Sequence, residues 1–411
     1  MFLRTFVAAL CALPALASAQ PLGIDDAAAL ALINQPLIAG QQAGVEAARQ
    51  NGVAESQLPD PRLKLGINNL PINGADQYSL TRDFMTMRSI AIEQMFPAAD
   101  KRRLKGERAT LEADLALAEL ENLRRSIRRD ARMAWLGAYY PAQAAALMKA
   151  ALDFYARERE ALEAALRGGR ATLADISKIS VEIEMQHDRL IEIAGQERRA
   201  RAELARWIGS DANRELSAPL PTMRPPAALA ALREGLHGHP QLGTARSEIA
   251  LAENDVQQAS AAYKADWSVE LAYAKRGPAY SDMVSVQVGI ELPLFTANRQ
   301  DRRLASRRAA KDKHEQQHEN HRRMLLAELD AAYTNWETLS ARVERFERDV
   351  LREAARRVEA ALAGYRSGRG DLAAVIAAQR SELELQTQHL LLQVERARAR
   401  VQLDYLASHE G

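Results

Sequence analysis

Hydrophobic and polar positions alternate along two short stretches in each half of the chain, and most of the sequence between them has the look of helix. In the second half Trp267, Val269, Leu271 and Tyr273 alternate with Ser268, Glu270, Ala272 and Ala274. Val284, Val286, Val288, Ile290 and Leu292 then alternate with Ser285, Gln287, Gly289 and Glu291, and Gly277-Pro278 marks the turn between the two runs. A period of two with turn residues between predicts a hairpin of roughly ten-residue strands, long enough to cross a bilayer when tilted. The first half offers Leu63, Leu65 and Ile67 against Lys64 and Gly66, then Ile90 and Ile92 against Ser89, Ala91 and Glu93, joined by a polar loop around Asn73-Gly74. Arg88 falls on the apolar face of this weaker pattern, so a water-soluble hairpin packed on helices is a competing reading.

After each hairpin comes a long helical stretch, about 99–167 and about 298–366, each on the order of 100 Å at 1.5 Å per residue. Pro141 should kink the first, because it lacks an amide hydrogen and crowds the preceding turn. Each ends at glycines, Gly168-Gly169 or Gly368-Arg369-Gly370, and a return helix of about 36 residues follows. Along the second return helix Leu390, Val394, Ala397, Val401 and Tyr405 recur at three- and four-residue steps, which favours coiled-coil packing. Shorter helices near 25–57 and 227–263 lead into the strands.

The halves echo each other. Arg102-Arg103-Leu104 returns as Arg302-Arg303-Leu304, and Glu182-Ile183-Glu184-Met185-Gln186 as Glu382-Leu383-Glu384-Leu385-Gln386. The period of about 200 residues is far beyond solenoid repeats and points to an internal duplication. The expected organisation is a leader over 1–19, a first repeat over 20–218, a Pro/Ala-rich linker over 219–228 and a second repeat over 229–411.

Arg4, an apolar run from Phe6 to Leu16 and Ala17-Ser18-Ala19 before Gln20 have the form of a secretory signal with its cleavage site. The one cysteine, Cys11, lies within that leader, and Leu10 before it is too large for a lipoprotein signal. Without Arg4 the chain has 54 basic and 54 acidic residues, a balance that does not suggest a nucleic-acid partner. No window beyond the leader approaches the ~20 apolar residues of a spanning helix, so a membrane would be crossed by strands. Four strands cannot close a barrel, and an open sheet edge has no hydrogen-bond partners in hydrocarbon, so several chains must share one barrel.

Over essentially its whole length beyond the leader, the chain resembles the TolC family of outer-membrane efflux ducts. The resemblance rests on Asn34-Gln35-Pro36 and His239-Pro240 in the leading helices. It rests also on the strand-to-helix junctions Ile92-Glu93-Gln94-Met95-Phe96-Pro97 and Ile290-Glu291-Leu292-Pro293-Leu294-Phe295. It implies an α+β membrane protein with mostly long coiled-coil helices forming an α-barrel. Each chain would add four strands to a trimeric transmembrane β-barrel in the Gram-negative outer membrane, and the helices would extend into the periplasm. In the family this is a passive duct without cofactors, docked onto a periplasmic adaptor (a membrane fusion protein) and an inner-membrane RND pump. Within the family, the length and the run Asp83-Phe84-Met85-Thr86-Met87-Arg88 look most like the CzcC/CusC heavy-metal branch. A lipidated N-terminal cysteine, common in CusC-like members, is not found here.

The resemblance implies adaptor-docking turns at Gly169, Arg170, Ala171, Thr172 and Leu173 and at Gly368, Arg369, Gly370, Asp371 and Leu372. Asp175 falls where the family often pairs a carboxylate with an arginine of the second tip, here Arg366 or Arg369, to hold the aperture closed; the acidic ring of some relatives has Ala374 and Ala377 instead. Glu93 and Glu291, on the polar strand faces, would form an acidic collar in the lumen that favours cations. Their bland reading is as solvated side chains, and that of the tips is ordinary turn chemistry with exposed charges worth little.

Metal candidates are weak. Met85 and Met87, at alternate positions, could offer soft sulfur to Cu(I), although apolar filler is the simpler reading. His314-Glu315-Gln316-Gln317-His318 satisfies the zinc-peptidase pattern, with His321 on the same helical face, but its polar flanks favour a solvated helix surface. A periplasmic adaptor or coiled-coil scaffold is the reading from a different functional class; it would show one hairpin beside a β-rich region in place of two hairpin-plus-helix repeats.

Overall fold

A computed structural model describes residues 20–407. The leader, Cys11 and the tail from Ser408, which reads as an end that frays, lie outside the described residues. The helices are α1 (Ile24–Asn34), α2 (Pro36–Glu55), α3 (Ala99–Arg167), α4 (Leu173–Ile208), α5 (Leu229–Gly235), α6 (Pro240–Ala261), α7 (Gln300–Arg345), α8 (Leu351–Arg366) and α9 (Leu372–Leu406). The strands are β1 (Arg62–Asn68), β2 (Met87–Phe96), β3 (Asp266–Lys275) and β4 (Met283–Glu291). The helices are written mostly in Ala, Leu, Arg and Glu, the strongest helix formers, and the strands in β-branched and aromatic residues at every second position.

The expected long helices are present, with instructive differences. α3 covers the predicted span and runs on through Pro141. The stretch predicted as one helix over 298–366 is divided by a π-turn at Phe346–Val350. Such a turn inserts one extra residue without a glycine or proline to announce it. Both leading helices are also split. Pro36 forces Gln35 out of the helical region (φ −83°, ψ 114°), which ends α1 and starts α2. His239, likewise extended before Pro240, caps α6.

Contacts divide the described chain into two units, each drawing on both sequence halves. The first runs to Gln35 and adds Ile127–Pro226 and Tyr333–Gln402; the second takes Pro36–Ser126, Ala227–Ala332 and the stretch from Leu403.

The second unit holds one antiparallel sheet in the order β1-β2-β3-β4. Its register aligns Leu63, Ile92, Leu271 and Val286 in one row and Leu65, Ile90, Tyr273 and Val284 in the next. One face is therefore apolar, and its residues are exposed, Leu65 at 74% and Val284 at 69%. Arg88 does fall on this face, but at its margin, opposite Ile67 and Lys275. At the other end Phe96 and Trp267 stack with ring centroids 4.6 Å apart. In the turn after β3, Gly277 lies so close to the Thr81 carbonyl of the β1–β2 loop that a Cβ would overlap it, which locks the two loops together. Below the sheet, α6 is clamped between α3 and α7. Asp255 accepts from Arg108 and Arg307, each at 3.0 Å, and buried Asn254 donates to the Leu104 carbonyl at 3.2 Å.

In the first unit Leu22 forms a parallel bridge with Leu216, and its carbonyl accepts from the indole of fully buried Trp135 at 2.9 Å. A second core joins α3, α4 and α9 through Tyr155, Leu162, Ile179, Ile183, Leu372, Ile376 and Leu383. No helix among the described residues is long and apolar enough to cross a membrane.

His239 is fully buried, its Nδ1 accepting from the Gln241 amide at 3.3 Å while Nε2 meets the Tyr405 carbonyl at 3.2 Å. This arrangement needs the neutral ring with its proton on Nε2. Burial, then the nearby Arg125, lowers its pKa from 6.5 to about 4. A lowered histidine pKa gives stability that is whole above the unfolded value and lost as pH falls toward the folded one, about 2 kcal/mol by pH 5. His239→Asn, which keeps a capping side chain, should lose less melting temperature than the parent between pH 7 and pH 5; equal losses would show that His239 is not the titrating group.

Candidate functional site

Two features can serve a conduit: the turns joining the long helices, and the polar face of the sheet. At the first turn Gly169 takes φ 67°, where a side chain would be strained, and the Arg170 amide reaches back to the Ala165 carbonyl at 2.9 Å. Thr172 caps α4: its hydroxyl donates to Asp175 at 2.6 Å, and the Asp175 amide donates to that hydroxyl oxygen at 3.3 Å. The Thr172 hydroxyl, with its amide and Lys178, holds the Asp175 carboxyl below the usual range. At the second turn Gly368 has φ 72°, the Arg369 amide bonds the Gly364 carbonyl at 2.9 Å, and Asp371 accepts from the Ala373 amide at 3.3 Å.

The two turns are not equivalent. Leu173 is 71% exposed, whereas its counterpart Leu372 is 1% exposed and sits in the core. Gly169, Arg170, Thr172, Gly368, Arg369, Gly370 and Asp371 are exposed and Ala171 is half-buried. The expected aperture pair is not formed within the chain. Asp175 is occupied by its cap and by Lys178 at 3.7 Å, while Arg366 reaches Glu158 at 3.7 Å.

Between α4 and α9 lies a polar contact that sequence reasoning missed. Glu182 of α4 is 2% exposed and accepts from Arg380 of α9 at 2.7 Å and from Gln186 at 2.9 Å. Buried Tyr155 stands near them, its phenol pKa raised chiefly by burial. A signal existed: Ile179, Glu182, Ile183 and Gln186 share one helical stripe, so a carboxylate on that stripe had to be buried and paired.

On the polar strand face the register aligns Arg62, Glu93, Glu270 and Gln287 in one row. Lys64, one row away on the same face, reaches Glu93 at 3.0 Å and Glu270 at 2.6 Å. Glu291 does not join Glu93. It stands opposite Asp266, four residues along β3 from Glu270, or roughly 13 Å. Asp266 itself is held by Lys101 at 2.8 Å.

Met87 begins β2 opposite Asn68, while Met85 precedes the strand in a loop, where strand alternation does not place both sulfurs together. His314 lies 3.5 Å from Glu248, His318 and His321 are half-buried on α7, and Glu315 is exposed 3.7 Å from Lys311. Among the described residues no group of three or more His, Cys, Asp or Glu side chains could hold a metal ion.

The chain combines an exposed apolar sheet face with long helices. Residues 231–408 match the family described as outer membrane efflux protein. The fold is similar to that of a membrane protein from Pseudomonas aeruginosa, with TM-score 0.78 and 17% identity over 93% of this chain and 89% of that one. It is similar also to CusC, a transmembrane channel, with TM-score 0.78 and 16% identity over 93% and 92%. The outer membrane protein VceC of Vibrio cholerae gives 0.75 and 21% over 93% and 95%. A comparison with curated proteins finds no significant match. The chain thus has the fold of these outer-membrane proteins, and its second half matches the efflux-protein family. The family match covers 178 of the 411 residues, all in the second half, and over the rest of the chain the likeness is one of fold.

Removing one partner of a buried ion pair costs more than removing both. Arg380→Ala should therefore destabilise the fold by about 3 kcal/mol, and Glu182→Leu combined with Arg380→Leu should recover much of that in denaturant unfolding.

Proposed function

We propose that three copies of this chain form the outer-membrane exit duct of a tripartite, RND-type efflux system. One observation carries the reading: a four-stranded sheet with one exposed apolar face and two unpaired edges, β1 and β4. In hydrocarbon each unpaired backbone group costs several kcal/mol, so β4 of one copy must pair with β1 of the next. Three such sheets make twelve strands, an even number in the range of closed outer-membrane barrels. The echo between the halves supports a duplicated unit behind each hairpin, with 219–228 as the linker.

The tips supply the docking surface for a periplasmic adaptor, and the pump behind it supplies energy. Leu173, Arg170 and Arg369 are the exposed side chains that would carry this contact, whereas Leu372 acts from within the core. The cargo we propose is heavy-metal cations, on the strength of the chain length and the run Asp83 to Arg88. Export of drugs or other small molecules is the second reading. It is favoured by Glu93 and Glu270, whose carboxylates are already engaged by Lys64.

Deletion of the gene, followed by growth on copper, silver, zinc, cobalt, cadmium and nickel beside drugs and detergents, separates the two. Selective metal sensitivity, restored by the wild-type gene, supports the metal duct, whereas sensitivity to drugs alone replaces it with the second reading. Leu173→Asp should leave assembly and thermal stability unchanged while export falls to the deletion level. Export at the wild-type level would remove Leu173 from the docking surface.

A further inference from the structure

Every charged side chain on the polar face of the sheet lies in its lower part. The row of Gly66, Ser89 and Ala274 carries no charge, Lys64 shares the next row with Ala91, Ala272 and Ser285, and Arg62, Glu93 and Glu270 fill the row below that, above Asp266 and Glu291. The opposite face is the exposed apolar one, so once the sheet closes in a membrane this level looks into the lumen. Arg62 is directly opposite Glu93, Glu93 opposite Glu270, and the Lys64 ammonium bridges both carboxylates. Two positive and two negative charges thus lie in two adjacent rows, joined by the Lys64 ammonium. At the next charged level, toward the strand ends, Asp266 is matched by Lys101 and stands opposite Glu291.

We infer that this quartet is a charge-balanced girdle that sets the ion preference of the barrel, with Lys64 as the residue that keeps it neutral. Rings of like charge in a pore select by sign, whereas interleaved opposite charges leave both signs free to pass. A neutral girdle suits a duct that must release cargo without holding it. Loss of Lys64 leaves one uncompensated negative charge per chain, and loss of the Glu270 charge leaves one positive charge. The inference rests on the trimeric duct proposed above, because the girdle is a ring only when three sheets close.

The test uses the full-length protein in planar bilayers, with a potassium chloride gradient at low salt, where screening is weakest. The parent should conduct with little preference. Lys64→Gln should shift the reversal potential toward potassium, and Glu270→Gln should shift it toward chloride. A loss of structure cannot give shifts of opposite sign, so the pair distinguishes charge from damage, and Glu93→Gln serves as a third variant should Lys64→Gln fail to assemble. Conducting variants with the parent's reversal potential would overturn the girdle while leaving the duct intact. A parent that never conducts would overturn the duct and the girdle with it.

Discussion

The constraint on which this architecture depends is that a sheet edge cannot stand open in hydrocarbon. β1 and β4 each leave a row of backbone donors and acceptors unpaired, and the apolar face between them has no cover within the chain. Water satisfies such an edge cheaply and lipid does not, so membrane insertion and assembly become one event. In the proposed assembly each chain is one part of a shared barrel. The exposure of Leu65, Val284 and their neighbours, which would be a defect in a soluble protein, is what a lipid-facing surface requires.

Away from the sheet, stability comes from helices packed along their length, and two polar contacts tie helix to helix at points the apolar packing does not specify. Asp255 ties α6 to α3 and α7 at once, and Glu182 ties α4 to α9 inside an otherwise apolar core. A buried carboxylate such as Glu182 adds little net stability but penalises any register in which it loses its partner. In long helices written mostly in Ala, Leu, Arg and Glu, where many registers bury similar area, that penalty is useful.

Much of this was legible from the sequence because it is local. Alternation located all four strands, and helix-forming composition with terminal glycines located the long helices and both turns, whereas the breaks before Pro36 and Pro240 divide stretches that read as single leading helices. The π-turn at Phe346–Val350 had no composition to announce it, since it is one extra residue accommodated by packing. At the lumen the sequence showed that Glu93 and Glu291 lie on the polar face but not at which level. Level is fixed by cross-strand register, which places Glu270 beside Glu93 and leaves Glu291 at the strand end. Likewise Leu173 and Leu372 read alike in sequence, and only packing separates an exposed contact from a core residue.

Gly277 carries a consequence for how the outer surface can diversify. Because its backbone is pressed against the Thr81 carbonyl, any other amino acid at that position must push the β1–β2 loop aside. The two loops are therefore mechanically coupled: around Asn73 and Gly74 the longer loop is exposed and a larger side chain meets nothing, whereas at the point of contact a change in one loop displaces the other. A lineage under pressure to disguise its surface would change the outline of one loop and keep the hinge pin of the other.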